Sequence, residues 1–131
     1  MEFKALTRDD ILMKRDKEFP LTPELEANLA VLLPRMNAFC KAYYDSTGKN
    51  ATVSSGYRPG RYNAMVGGAK KSCHLFCEAV DLHDIDRGIK DFVMSDLSVL
   101  DKCDLYLEDL EKTPRWCHLD IRQRAHRVFA I

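Results

Sequence analysis

The feature that most restricts the fold is a long helical segment in the first half of this 131-residue chain. Leu21-Thr22-Pro23-Glu24 is typical of a helix start, with Thr22 as the N-cap and Pro23 at the first helical position, where its missing N–H costs nothing. Apolar side chains then recur at helical spacing as far as Gly48, with a kink expected at Pro34. They are Leu25, Leu29, Leu32, Met36, Cys40 and Tyr43. This pattern predicts the main helix of the hydrophobic core.

Shorter elements surround this helix. Leu6-Thr7-Arg8-Asp9-Asp10 predicts a brief first helix capped by Thr7, and the stretch from Gly88 to Lys102 predicts a further amphipathic helix. The segment from 56 to 69, rich in Gly and Asn, predicts a long structured loop. Strands are predicted at 51–55, 79–82, 104–108, 116–121 and 127–131, with the last two paired through a turn at 123–126. Length and element content indicate a single α+β domain over residues 1–131.

Composition excludes several classes of partner. Twenty basic residues balance twenty acidic ones, so no net field favours nucleic acid or an anionic membrane. No window approaches eighteen consecutive apolar residues, and the first nineteen residues are charged throughout, so we expect neither membrane insertion nor a secretory signal. Five cysteines, an odd number without scaffold spacing, indicate free thiols in a reducing cytosol. We expect a monomer that is cytoplasmic in the producing cell.

Two segments carry metal-binding chemistry. KKSCHLFCEAVDLHD, residues 70–84, concentrates histidines, cysteines and acidic side chains. In RWCHLDIR, the period of two in a strand places Trp116, His118 and Asp120 on one face. With His74 and Asp81, the chain offers two imidazoles and one carboxylate, the ligand set of a catalytic zinc with one open position.

A second interpretation of the first segment involves its thiols. Cys73 and Cys77 form a C-x-x-x-C pair around His74 and are candidate soft ligands of a closed, structural zinc site. Such a site would leave Asp81 without a role.

The motifs resemble those of a known family in combination. They are Ser72-x-His74-x-x-x-x-Ala79-x-Asp81, Ser55-Gly56-Tyr57-Arg58-Pro59, Gly67-Gly68-Ala69 and Trp116-x-His118. From about Thr7 to the C-terminus the chain resembles the zinc D-Ala-D-Ala carboxypeptidase and L-alanyl-D-glutamate endopeptidase family, whose fold is shared by the hedgehog signalling domain. The resemblance implies a small antiparallel sheet that carries zinc on one face and is packed by helices on the other.

The resemblance also implies roles for individual residues. Zinc would be bound by His74, Asp81 and His118. Arg58 would grip the substrate carboxylate or the developing oxyanion, and Ser72 would lie beside the substrate. Tyr57 and Trp116 are candidates either for the wall of the substrate cleft or for packing.

Two positions depart from the family pattern. Members commonly have glycine three residues after the first histidine, where this chain has Cys77, so either the backbone there does not need a positive φ or the loop is reshaped. Members also carry an acidic general base three residues before the last histidine, where this chain has Arg115, which cannot accept a proton. Glu108 in LYLED is the nearest substitute. The other acidic candidates are Asp109, Glu111 and Asp120, of which we expect Asp120 to orient a ligand or Arg58.

These residues together predict a zinc metallopeptidase. The resemblance implies hydrolysis of peptide bonds in peptidoglycan stem peptides, by endopeptidase or D,D-carboxypeptidase action, in phage lysis or bacterial cell-wall remodelling. The enzyme would reach the wall after release or delivery from the producing cell. The alternative is a structural or wall-binding module that keeps the zinc and has lost the base, as Arg115 suggests.

Overall fold

The protein was analysed as a computed structural model, which describes residues 2–65, 67, 72–109 and 113–130. The described helices are α1 (Arg8–Leu12), α2 (Pro23–Thr47), α3 (Gly60–Met65), α4 (Gly88–Ser95) and α5 (Ser98–Cys103), with short 3-10 turns at Arg15–Lys17 and Cys73–Phe76. The strands are β1 (Val53–Ser55), β2 (Ala79–His83), β3 (Tyr106–Glu108), β4 (Trp116–Asp120) and β5 (Val128–Phe129). The predicted α+β class is confirmed.

The helix boundaries follow local capping chemistry. The Thr7 hydroxyl accepts from Asp10 N–H while the Asp10 side chain accepts from Thr7 N–H, which closes a capping box at α1. Thr22 caps α2 by accepting from Leu25 N–H, and Gly48 ends it in the left-handed conformation at φ 73°. The predicted start and end of α2 are therefore confirmed, and the helix continues through Pro34.

Two helical segments differ from the sequence prediction. The predicted loop at 56–69 contains α3, whose first turn is closed by Asn63 N–H donating to the Pro59 carbonyl at 3.0 Å. The sequence did not predict this helix because Gly and Asn are weak helix formers. The helix predicted from Gly88 to Lys102 is two helices, α4 and α5. Asp96 separates them because its carboxylate accepts from both Ser98 N–H and the Ser98 hydroxyl, at 3.2 and 2.5 Å.

The strands form one sheet in the order β1-β2-β4-β3-β5. The pairs among β1 to β4 are antiparallel, whereas β5 lies parallel to β3, so the sheet is mixed. The predicted pairing of β4 with β5 is wrong. The connection at 121–127 carries the chain past β3, and Leu107 N–H then donates to the Arg127 carbonyl at 2.7 Å.

One face of the sheet forms the core with the helices. Its fully buried strand residues are Val80, Leu82, Leu107, Cys117 and Leu119, and they join a single apolar cluster with the buried side of α2 and with residues of α4 and α5. No helix in the described ranges has both the length and the apolar character needed to cross a bilayer. The opposite face of the sheet is polar, and the candidate metal centre lies there.

Candidate metal centre

His74 is fixed by local backbone contacts. Ser72 caps the 3-10 turn that carries it, with the Ser72 hydroxyl accepting from His74 N–H at 3.2 Å. The His74 Nδ1 donates to the Gly56 carbonyl at 2.8 Å, and the ring is 2% exposed. Because a carbonyl only accepts, the proton of His74 lies on Nδ1, and Nε2 is left to bind a metal.

Gly56 allows this arrangement because a side chain at this position would not fit. A Cβ atom at Gly56 would lie 2.1 Å from the Ile11 carbonyl oxygen. The next residue, Tyr57, donates its N–H to that same oxygen at 2.8 Å. The glycine of the SGYRP motif is therefore required by the close approach of α1, and it positions the carbonyl that holds His74.

The strand register brings Asp81 and His118 together. The two residues are directly paired between β2 and β4. His118 Nδ1 lies 2.8 Å from Asp81 Oδ1, and His74 Nε2 lies 3.2 Å from Asp81 Oδ2. One ligand atom from each of the three residues falls within 4.8 Å of the others, and all three residues are buried.

Asp120 holds the second nitrogen of His118. His118 Nε2 donates to Asp120 Oδ2 at 2.9 Å, so Nδ1 faces Asp81 and His74. Burial lowers the pKa of His118, but hydrogen bonds to Asp120 and Asp81 outweigh it and raise the pKa to about 9. Burial likewise raises the pKa of Asp81, and the hydrogen bond from His118 together with the neighbouring His74 reverses this and holds the pKa well below its usual range.

This donor set fits zinc. Two imidazole nitrogens and one carboxylate oxygen converge, and each imidazole donates its other N–H to an acceptor that fixes its orientation, Gly56 for His74 and Asp120 for His118. With three protein ligands, one coordination position stays open for water or substrate, as in catalytic rather than structural sites.

The thiols next to His74 do not join this cluster. Cys77 is fully buried among apolar core residues, and Cys73 Sγ lies 3.6 Å from Asp120 Oδ2 instead of beside the ligand atoms. Cys77 also has φ 56°. The backbone therefore adopts a positive φ that glycine would take without strain, with a cysteine in its place.

A cavity of about 330 Å³ lies on the polar face of the sheet and includes the three candidate ligands. Its lining residues are Arg58, Ser72, Cys73, His74, Asp81, Glu108, Trp116, His118, Arg122 and Arg124. Glu108 reaches it because Tyr106 and Leu107 on β3 pair with Asp120 and Leu119, so the next position along β3 faces His118. Burial raises the pKa of Glu108; the charge of His118 opposes this shift.

The other predicted substrate contacts divide into two groups. Arg58, Ser72 and Trp116 line the cavity, and Arg58 Nη2 lies 3.4 Å from the Ser72 hydroxyl. Tyr57 does not line it: its side chain is buried in the core, and its hydroxyl donates to the Phe19 carbonyl at 3.3 Å. Arg115 is exposed and lies outside the cavity.

Comparison with protein families bears on most of the chain. A model of the family described as Peptidase M15 matches residues 7–120. The chain belongs to the peptidase M15 family. M15 peptidases are zinc enzymes, so this protein is a zinc metallopeptidase, with a possible metal site at His74, Asp81 and His118. No curated protein matches the sequence significantly.

Sequence reasoning missed two cavity residues of this M15 peptidase. Arg122 and Arg124 belong to RQRAHR, a basic run that by itself indicates only a solvated turn. In the structure Arg122 pairs with Glu78 at 2.8 Å and Arg124 pairs with Asp120 at 2.9 Å. Of the two predicted partners of Asp120, a ligand or Arg58, the structure places the ligand His118 beside it, and Arg124 takes the place of Arg58. The candidate base Glu111 lies outside the described residues.

Proposed function

We propose that this M15 peptidase hydrolyses peptide bonds in the stem peptides of peptidoglycan, in phage lysis or bacterial wall remodelling. The observation that carries the proposal is that one cavity brings His74, Asp81 and His118 together with an acidic side chain, Glu108, and with Arg58. The motif resemblance to enzymes that cleave D-Ala-D-Ala and L-alanyl-D-glutamate bonds supports this class of substrate.

His74, Asp81 and His118 would hold the zinc. When bound, zinc supplies a Lewis acid that makes water acidic enough to react at neutral pH and polarises the scissile carbonyl. The three residues keep their ligand atoms aimed at one point because Gly56 and Asp120 fix the two rings.

Glu108 is the proposed general base. It stands across from His118 on the same sheet face and lines the same cavity, whereas Arg115, at the usual position of the base, does not. Its carboxylate would take a proton from the attacking water and later deliver it to the leaving amine nitrogen. General-base help of this kind is worth about 10²- to 10⁴-fold in rate.

Arg58 is the proposed anion contact. Within the described residues its Nε is buried without a hydrogen-bond partner, so a donor is available to a bound anion. Burial lowers the pKa of the guanidinium, and Asp81 opposes this shift; an arginine nevertheless stays protonated in proteins. Arg58 would donate to a substrate carboxylate or to the developing oxyanion, beside Ser72 and against the wall formed by Trp116.

Stem peptides suit the charge of this cavity. They carry carboxylates on D-glutamate and at their D-alanine terminus, and three arginines line the cavity. Two of these, Arg122 and Arg124, are paired with Glu78 and Asp120, which leaves Arg58 as the arginine best placed to meet a substrate carboxylate.

The test is release of new amino termini from purified peptidoglycan by the zinc-loaded enzyme and by Glu108→Gln. We expect the wild type to bind about one zinc and cut, and Glu108→Gln to keep the metal and lose about 10²- to 10⁴-fold in activity. Asp109→Asn, the neighbouring acid outside the cavity, is the matched control and should cut normally.

Two outcomes would count against the proposal. A wild type that holds zinc and releases nothing from any wall preparation is a binding module. Loss of cutting in Asp109→Asn with full activity in Glu108→Gln assigns the base to Asp109. Mass spectrometry of the products separates free D-alanine, the product of a carboxypeptidase, from fragments cut within the stem.

A further inference from the structure

Asp120 is a fully buried carboxylate behind the candidate metal centre. Its oxygens accept from His118 Nε2 at 2.9 Å and from Arg124, by Nη2 at 2.9 Å and Nε at 3.4 Å. Taking a carboxylate out of water is costly unless it is paired and hydrogen-bonded. Arg124 supplies that pairing through the Nε–Nη2 edge, the edge with which guanidinium grips a carboxylate at two points.

Arg124 is itself held in place by the last strand. Its guanidinium carbon lies 3.5 Å from the centre of the Phe129 ring, a cation–π contact. The same ring meets the ring of His118 edge-on, with 6.1 Å between centres. Phe129 is fixed because β5 pairs with β3. Strand β5 therefore supports His118 directly through Phe129 and indirectly through Arg124 and Asp120.

A direct role for Arg124 in gripping substrate fits these contacts less well. Arg124 does line the cavity, but its two-point edge is occupied by Asp120, and its Nη2 also lies 3.5 Å from Cys73 Sγ. Arg58, by contrast, has a buried Nε without a partner among the described residues. The two arginines are thus divided between support of a ligand and contact with substrate.

We propose that Arg124 is a positioning residue for the metal centre. It holds the Asp120 carboxylate where it accepts the Nε2 proton of His118, so that His118 presents Nδ1 to the metal. Both Arg124 and Phe129 lie beyond residues 7–120, the part that the M15 family model matches. The inference rests on the zinc site of the proposed function but not on which bond is cut.

The test compares Arg124→Met and Arg124→Lys with wild type. Zinc affinity is measured by chelator competition without substrate, and the visible absorption spectrum of the cobalt-substituted protein reports the geometry of the ligands. We expect Arg124→Met to bind zinc about 10- to 100-fold more weakly and to alter the cobalt spectrum, with partial recovery in Arg124→Lys. At saturating zinc, kcat should fall while KM changes little.

Arg127→Met is the matched control. Arg127 belongs to the same segment, lies over the Tyr106 ring at 4.4 Å and pairs with Asp101 and Asp104, outside the cavity. It should keep wild-type zinc affinity and an unchanged cobalt spectrum. Unchanged zinc affinity in Arg124→Met with a raised KM overturns the proposal in favour of substrate binding. Equal losses in Arg124→Met and Arg127→Met, in step with lower melting temperatures, overturn it in favour of a structural role.

These measurements distinguish failure of the proposed function from failure of the inference about Arg124. A wild type that binds zinc but cuts no peptidoglycan contradicts the proposed function, while the zinc affinities of the variants still decide the role of Arg124. Normal cutting by the wild type with unchanged zinc affinity in Arg124→Met contradicts only the role of Arg124.

Discussion

Both faces of strand β4 are buried, but one packs against apolar side chains and the other against polar and charged groups. Cys117 and Leu119 point into the apolar core, and burial raises the pKa of the Cys117 thiol so that it stays neutral. His118 and Asp120, one residue along from each, are nearly as buried but lie in a network of hydrogen bonds and charges. The apolar face stabilises the fold by excluding water, whereas the polar face tolerates burial only because each group has a partner. Alternation along one strand thus places His118 and Asp120 on an element whose other face is anchored in the core.

Replacing His118 with alanine should disrupt the polar face and should have the largest effect on metal binding and activity. One of the three proposed zinc ligands is lost, so we expect the metal to be lost and activity to fall by more than about 10³-fold, since bound zinc lowers the barrier by several kcal/mol. Zinc content and peptide release measure both effects. A variant that retains stoichiometric zinc would show that His118 is not a ligand.

Arg58→Met separates binding of substrate from binding of metal on the same face. Within the described residues the Arg58 side chain makes no hydrogen bond or ion pair to a candidate ligand, so zinc content should stay at the wild-type level. Loss of the proposed donor to the oxyanion should lower kcat/KM by about 10²- to 10³-fold. Steady-state kinetics with a short stem peptide measure this loss, and an effect of less than threefold would remove Arg58 from the reaction.

Leu119→Ala tests the apolar face beside the same strand. The side chain is fully buried, so its truncation should lower the free energy of unfolding by about 2–5 kcal/mol. The folded fraction should still bind zinc with near wild-type affinity, because no partner of His118 is changed. Denaturant titration and zinc titration measure the two quantities, and a strong loss of affinity without loss of stability would show that the faces are coupled.

Lys90→Met should stabilise the fold slightly, in contrast to the loss expected when a partnered buried group of the polar face is removed. Lys90 is fully buried on α4, and within the described residues its Nζ has no hydrogen-bond partner. Removing this charge should raise the free energy of unfolding by about 1 kcal/mol at neutral pH. Chemical denaturation measures the gain, and a destabilised variant would show that Lys90 is paired after all.

The gain from Lys90→Met should depend on pH in one direction. Burial lowers the pKa of Lys90 in the folded protein, and Asp84 opposes this shift. The folded state therefore binds this proton less tightly than the unfolded state, and wild-type stability rises with pH. The advantage of the variant should be complete below the lowered pKa and should fade as the pH approaches the ordinary value of 10.5.

The parts of the fold that the sequence predicts are those set by local chemistry. Thr7 and Thr22 cap helices through residues three positions away, and alternation in RWCHLDIR assigns His118 and Asp120 to one face, as the structure has them. The grouping of His74, Asp81 and His118 followed from ligand type together with the family resemblance. Each of these rests on short-range geometry or on a motif.

The parts that the sequence does not predict depend on distant contacts. The parallel pairing of β5 with β3 joins segments that no turn connects, and it places the Phe129 ring against both Arg124 and His118. Cys77 keeps a positive φ that its residue type disfavours, because its buried side chain packs in the core. Local sequence propensity predicts neither of these contacts.

The position of β5 at the sheet edge also bears on what a shortened chain would keep. The strands β1, β2, β3 and β4, with all three candidate ligands, precede Arg124 and Phe129 in the sequence. A chain cut after β4 would therefore contain every candidate ligand, but His118 would lack the ring beside it and Asp120 would lack its cation. On the proposal for Arg124, such a chain would bind zinc less tightly than the whole chain, so the segment that ends at residue 120 would not by itself form a complete metal centre.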